Sequence, residues 1–338
     1  MIRKRLLGLF IALVATVGGM ATVSAAAASA DLTGAGSTLV APLMANWVAG
    51  FEARIGSKVT YAAVGSGTGI SQITARTVDF GASDAPLTPD QEAKCNGCVQ
   101  VPWGLSATGV GFNIPGVKKL NLTGSILAGI YLGNITSWND AKIKKVNKGV
   151  RLPNLPITPV YRSDGSGDTY AFTQYLSKVS PTWKNSLGYG TTVGFSHGVG
   201  AAKNSGVKNA VLSTSGGIGY ISASYLIAAN MGAAAIQNKA GNFEFPNLKN
   251  IADAASTVKR VPASNAISIV DPPKRAKIAY PISTFAYAIV PHDAKNKGEL
   301  QTFMRWAVGP GQKYGAALDF APLPKVVLAA AKRAIGSL

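Results

Sequence analysis

Hydrophobic positions along this chain switch repeatedly between a helical and an alternating period. Leu39, Leu43, Trp47, Val48 and Phe51 recur at helical spacing and predict an amphipathic helix. Pro42 falls in its first turn, where a missing N–H is harmless. The β-branched and aromatic run from Val59 to Val64 predicts a strand, and Ile70 to Ala75 a short helix after it. Further on, Ile157 to Tyr161 reads as a strand and Thr169 to Lys178 as a helix. This alternation predicts an α/β class. No repeat, heptad or low-complexity tract interrupts it. No flexible linker is evident either, so two domains in a chain of this size would share several crossings.

One apolar stretch has a different meaning. Met1-Ile2-Arg3-Lys4-Arg5 precedes an apolar run from Leu6 to about Ala15, and small residues follow as far as Ala28-Ser29-Ala30. That is the layout of a secretory signal peptide with an A-x-A cleavage site. The expected mature chain starts near Asp31 and keeps 308 of the 338 residues. No cysteine stands at the cleavage site to carry a lipid, and no later segment is apolar for long enough to span a membrane. The expected location is periplasmic or secreted.

Charge narrows the partners. Without Arg3, Lys4 and Arg5 the chain carries 30 basic against 15 acidic residues. A basic surface draws in anions. The small groups at Lys142, Lys144 and Lys145 and at Lys274, Arg275 and Lys277 are not interleaved with aromatics, and no nucleic-acid motif is present. They read as solvated surface.

The chemistry concentrates in three glycine and hydroxyl loops, each ahead of a predicted helix: Gly34-Ala35-Gly36-Ser37-Thr38-Leu39, Gly65-Ser66-Gly67-Thr68-Gly69, and Arg162-Ser163-Asp164-Gly165-Ser166-Gly167-Asp168-Thr169. A helix start offers unpaired N–H groups and the positive end of the macrodipole. Glycine lets backbone approach an anion, and arginine supplies a planar fork of donors. Any one such loop is an ordinary N-cap; three in one chain, one with Arg162, point to a buried oxyanion.

Other chemistries fit less well. Cys95 and Cys98 form Cys-Asn-Gly-Cys, which in an exported chain predicts a disulfide closing a tight loop. A redox site would need a strand before it and a helix start at it, and two distant histidines do not complete a zinc set. No metal or cofactor is expected. Ser166, His197 and Asp164 could be imagined as a triad, but Ser166 is not in a Gly-x-Ser-x-Gly elbow, and His197 and His292 read as loop residues. Asp79 and Asp84, five apart on an extended segment, fall on opposite faces.

These residues carry a resemblance. Gly34 to Thr38, Val64-Gly65-Ser66-Gly67, Val78-Asp79-Phe80-Gly81-Ala82-Ser83-Asp84-Ala85-Pro86-Leu87 and Arg162 to Gly167 closely resemble motifs of the phosphate-binding proteins of high-affinity phosphate ABC importers, the PstS family. Asn113 to Gly116, Ile130 to Gly133 with Trp138-Asn139-Asp140, Gly217 to Tyr220 and Pro281 to Ser283 extend it, in order, over nearly the whole mature chain. The resemblance implies a two-lobed periplasmic binding protein fold (type II-like) with hinge strands and an interlobe ligand cleft. One lobe would combine residues 31–112 with 283–338 and the other would span 113–282, with chain crossings near Gly109 to Ile114 and Ile282 to Val290. It implies a monomer that binds inorganic phosphate without catalysis and docks, closed, on the membrane permease of a phosphate ABC importer, with no nucleic-acid partner.

Carried over by position, the phosphate contacts fall on Thr38, Leu39 (through its backbone N–H), Ser66, Asp84, Arg162, Ser166 and Gly167. Asp164 would orient the guanidinium. Asp168 stands where the family usually has threonine. Near neutral pH phosphate keeps a proton that sulfate lacks, so a carboxylate at Asp84 would accept from one and repel the other. Asp168 is either a first-turn acid facing away from the ligand or an acceptor for a second proton. Two other classes stay open: a secreted phosphatase, which lacks a recognisable nucleophile or metal set, and a binder of another oxyanion or an adhesion or signalling protein reusing the fold.

Overall fold

The structure, a computed structural model, describes residues 31–338; the predicted signal peptide, 1–30, lies outside the described residues. The chain opens with β1 (Leu32–Gly36), α1 (Ala41–Ile55), β2 (Val59–Ala63), α2 (Ser66–Thr74), β3 (Phe80–Ser83), α3 (Pro89–Cys95) and the long β4 (Cys98–Phe112). It continues through β5 (Lys119–Leu122), α4 (Gly124–Tyr131), α5 (Ala141–Val146), β6 (Thr158–Arg162), α6 (Gly167–Val179), α7 (Pro181–Ser186), β7 (Val199–Ala201), α8 (Lys203–Ser213) and β8 (Gly217–Ser222). Then come α9 (Ala223–Ala228), β9 (Gly232–Gln237), β10 (Phe243–Glu244), α10 (Leu248–Ser256), β11 (Ser283–Pro291), α11 (Lys297–Ala307) and α12 (Lys325–Gly336).

The strands form two lobes joined through β4. In the first, β2-β1-β3 run parallel and antiparallel β11 lies between β3 and β4. In the second, β4 pairs with β8 and β9, β8 with β6, β6 with β7, and β9 with β5 and β10. The partner of β4 changes from β11 to β8 between Ala107 and Thr108. Every residue of β4 from Gln100 to Phe112 is buried, as expected of a strand covered on both faces.

Each lobe has its own aromatic centre. Helix α1 turns Leu43, Met44, Trp47 and Phe51 inward at helical spacing. There Trp47 meets Trp103, Phe51 meets Phe303 and Trp306, and Phe80 packs on Trp103 and Phe303, mostly edge to face. Gly56 closes α1 in the left-handed conformation and returns its N–H to the Glu52 carbonyl. In the second lobe Tyr131, Phe172, Phe195 and Tyr220 pack together behind β6 and β8. That aromatic layer holds the strand carrying Arg162.

Cys95 and Cys98 are joined by a disulfide where α3 ends and β4 begins. Arg76 caps this corner, donating to the carbonyls of Cys95 and Asn96 and pairing with Asp293. Among the described residues no helix is long and apolar enough to cross a membrane.

Candidate functional site

The three glycine and hydroxyl loops converge where the lobes meet. The first joins β1 to α1, the second joins β2 to α2, and the third joins β6 to α6. Helix α2 starts at Ser66 rather than Ile70, so the glycine turn is itself the first helical turn. Gly65 allows this by taking a φ of 98° just before it. Likewise α6 starts at Gly167, two residues before the predicted start, because Ser166 acts as its N-cap.

Thr38, Leu39, Ser66, Asp84, Arg162, Ser166, Gly167 and Asp168 are all buried. The first four belong to the first lobe and the last four to the second. They are linked across the junction. The Gly167 N–H donates to Ser66 Oγ at 3.2 Å, and the Gly67 N–H to the Gly165 carbonyl at 2.9 Å. Leu39 lies just ahead of α1, where backbone N–H groups have no partner within the helix.

The hydroxyls have a shared polarity. Ser66 Oγ accepts from the N–H groups of Asp84 and Gly167. Ser166 Oγ accepts from the N–H groups of Asp168 and Thr169. Thr38 Oγ1 accepts from the Asn204 side chain at 2.9 Å. An oxygen whose lone pairs face donors has its own proton to give. The Thr38 and Ser166 hydroxyls, converging with helix starts, are arranged to donate to an oxyanion, while Ser66 Oγ turns its proton toward Asp84 Oδ2.

Arg162 lies at the end of β6 with its side chain almost fully buried. Nε and one terminal nitrogen donate to the two oxygens of Asp164, both at 2.6 Å. The other terminal nitrogen donates to Asp168 at 3.1 Å. Burial alone would lower the arginine's pKa, but Asp164 and Asp168 outweigh it and raise it further. Burial likewise pushes Asp164 up, yet the guanidinium and the Lys203 N–H leave it below the usual carboxylate range.

Asp84 has a different environment. Ser37 Oγ donates to its carboxyl, 2.7 and 2.6 Å from the two oxygens, and Ser66 Oγ lies 3.4 Å away. Burial, with the charge of Asp168 added, pushes Asp84 up to about 8, against the pull of Ser37, Arg162 and Ser66. Asp168 is also raised by burial, although Arg162, Thr108 and Asn204 oppose this. Its Oδ1 accepts from Thr108 at 2.7 Å, and its Oδ2 accepts from Asn204 at 2.8 Å as well as from Arg162.

Ser37, Thr108, Asn204 and Tyr220 complete the site as supporting residues that sequence reasoning did not single out as site members. The Tyr220 hydroxyl accepts from the Arg162 N–H at 2.9 Å and pairs with Thr169 Oγ1 at 2.8 Å. Ser37 sits inside a loop already marked, and Tyr220 inside a motif already marked. Thr108 and Asn204 carry no local signal, because only the fold brings them here.

The remaining candidates lie elsewhere. His197 and His292 are exposed. Ser166 spends its lone pairs on capping α6 rather than facing an imidazole. Asp79 accepts from the backbone N–H and hydroxyl of Thr33, both at 2.8 Å, and from Asn296. Asp79 and Asp84 therefore do not form a pair. Among the described residues no group of three or more His, Cys, Asp or Glu side chains is placed to hold a metal.

Comparison with known proteins gives one consistent picture. Residues 21–310 match the model of the PBP superfamily domain. The phosphate-binding protein PstS of Xylella fastidiosa (strain Temecula1) is 38% identical over 301 residues, covering 88% of this chain and 82% of that protein. The phosphate-binding protein PstS of Haemophilus influenzae (strain Rd) is 35% identical over 310 residues, covering 89% and 91%. Among solved structures, the high-affinity periplasmic phosphate-binding protein PfluDING, bound with phosphate at pH 8.5, superposes with a TM-score of 0.70. The match covers 89% of this chain and 92% of that one at 22% identity, a likeness of fold.

Proposed function

Since the chain belongs to the PstS family of phosphate-binding proteins, within the PBP superfamily, we propose that it captures inorganic phosphate between its lobes and delivers it to an ABC importer. The observation that carries this reading is the polarity of the site. Thr38 and Ser166 each present a hydroxyl proton, Ser66 directs its own at Asp84, and Asp84 is a carboxyl among them. Such a set suits an anion that both accepts hydrogen bonds and has a proton to share.

In this reading Leu39 and Gly167 offer backbone N–H groups, Arg162 gives the free part of its fork, and Asp164 fixes that fork's plane. One proton lies between Asp84 and the anion. It belongs to phosphate when Asp84 is ionised and to Asp84 when phosphate is the dianion. Sulfate has no proton to bring, so it binds only where Asp84 supplies one. Asp168 neutralises Arg162 from the side away from Asp164, and its Oδ1 retains a lone pair for a second phosphate proton.

Binding draws the lobes together, and the closed form is the one the permease engages. We assign the hinge to Ala107–Thr108, where β4 changes partner, and to the chain entering β11 at Ser283. The protein acts outside the cytoplasm, in the periplasm or as a secreted monomer, after removal of residues 1–30. It binds rather than hydrolyses, so a chromogenic phosphomonoester should stay intact in its presence.

Calorimetric titration of the phosphate-stripped mature chain tests this reading. The expected result is tight one-to-one binding of phosphate with no response to sulfate at alkaline pH. Equal binding of the two anions, or none of phosphate, would overturn it.

A further inference from the structure

We propose that Asn204 is a positioning residue that fixes the polarity of the Thr38 hydroxyl, making it a donor to the ligand; this rests on the phosphate-binding reading above. Asn204 lies in the first turn of α8 and is completely buried. Asparagine is a poor helix former, and burying an amide without partners costs free energy. Here each polar atom is engaged.

The chain of hydrogen bonds has one direction. The Ser222 N–H, at the end of β8, donates to Asn204 Oδ1 at 2.8 Å. An N–H cannot accept, so this bond decides which way round the amide sits. Its nitrogen then faces Thr38 Oγ1 at 2.9 Å and Asp168 Oδ2 at 2.8 Å, one hydrogen for each. The Asn204 backbone N–H also points at Thr38 Oγ1, at 3.4 Å. Thr38 Oγ1 is the acceptor in both of these bonds, so its own proton is left for an anion oxygen.

The arrangement spans the lobes. Thr38 precedes α1 in the first lobe, while Asn204, Ser222 and Asp168 belong to the second. Closure therefore does more than bring Thr38 near the ligand: it orients the hydroxyl as a donor. The same amide occupies a lone pair of Asp168, so that carboxylate competes less for the Thr38 proton.

A double-mutant cycle by calorimetry with inorganic phosphate tests the proposal, using wild type, Asn204→Ala, Thr38→Val and the double variant. Asn204→Ala should weaken binding about tenfold, a coupling of ordinary size for groups in one network. In the Thr38→Val background the same substitution should cost at least about threefold less. Asn204→Asp keeps the size but places an acceptor against Thr38 and a charge beside Asp168, so it should bind more weakly than Asn204→Ala. Thermal melting establishes that each variant is folded; should Asn204→Ala not be, the cycle is run with Asn204→Asp. Equal fold-losses in both Thr38 backgrounds, or wild-type affinity for Asn204→Asp, would overturn the assignment. Failure of the wild type to bind phosphate would instead overturn the reading on which it rests.

Discussion

Asp84 holds its proton far longer than an exposed carboxyl, because burial and the neighbouring charge of Asp168 push it up to about 8. The sign of the linkage follows. A raised carboxyl pKa stabilises the native closed form at low pH, and that contribution is lost as pH rises from about 4 to about 8. Asp84→Asn lacks this titration, so its melting temperature should gain on wild type over that interval and then level off. Selectivity should move the opposite way. Wild-type discrimination against sulfate should widen as pH rises through about 8, because ionised Asp84 then meets only lone pairs. In Asp84→Asn it should be at least tenfold smaller at pH 9 and flat with pH, about a 1.4 kcal/mol effect. Competition calorimetry at pH 6 and pH 9 reads this directly, and a pH-independent wild-type ratio would remove Asp84 from the role of discriminator. Asp168 gives a second, separable test. If its Oδ1 accepts a phosphate proton, affinity weakens above neutral pH as phosphate loses that proton, and Asp168→Thr flattens the profile. An unchanged profile would leave Asp168 only the task of neutralising Arg162.

At the level of elements, the sequence was most informative where local chemistry determines local structure. Pro42 and the apolar spacing around Trp47 mark α1, and the β-branched run before Gly65 marks β2. The helices start at Ser66 and Gly167, earlier than the sequence pattern predicts, because glycine lowers helix propensity and hides the first turn. Here it is needed for close approach, and Ser166 compensates by capping α6. The loops of the site were therefore readable, while Thr108 and Asn204 were not. Thr108 is one residue in a continuous buried strand, and Asn204 an asparagine near a helix start; only the fold, which brings Thr108 to Asp168 and Asn204 to both Asp168 and Thr38, gives them a role. The Cys95–Cys98 pair was also legible, from its spacing and the expectation of export alone. It closes a loop of sequence separation 3, at the corner between α3 and β4. For so short a loop the chain-entropy model gives about 2 kcal/mol. Replacing both cysteines with serine should thus lower denaturation stability by no more than about 2 kcal/mol and leave phosphate affinity unchanged. A loss of phosphate affinity in a folded Cys95→Ser/Cys98→Ser variant would mean that this corner communicates with the site.

For the molecule as a whole, the question is whether the ligand contacts can be made without the lobes touching, and Gly167 decides it. This residue begins α6 in the second lobe, yet a Cβ placed on it would lie 2.5 Å from Asp84 Cβ and 2.8 Å from Asp84 Cα in the first. Neither atom is the tip of a flexible side chain, so an alanine here fits only if the lobes part. Within α6 itself alanine is a better helix former than glycine. Gly167→Ala therefore opposes closure while leaving each lobe intact, a separation that truncating a ligand contact cannot give. The two-state view makes the consequence quantitative. A ligand draws on the closed form only in proportion to its population, so each factor by which the substitution depletes that form appears in the apparent affinity. The expected result is phosphate binding weakened by at least about 100-fold, or about 2.7 kcal/mol, with unfolding of the ligand-free protein unchanged or slightly raised in temperature. Small-angle scattering should show the wild type becoming more compact on adding phosphate and Gly167→Ala failing to do so at the same concentration. Compaction and affinity equal to wild type would mean that the contact between Gly167 and Asp84 is incidental to capture. The hydrogen bonds from Gly67 to Gly165 and from Gly167 to Ser66 would then be the direct ties between the phosphate loops of the two lobes to examine.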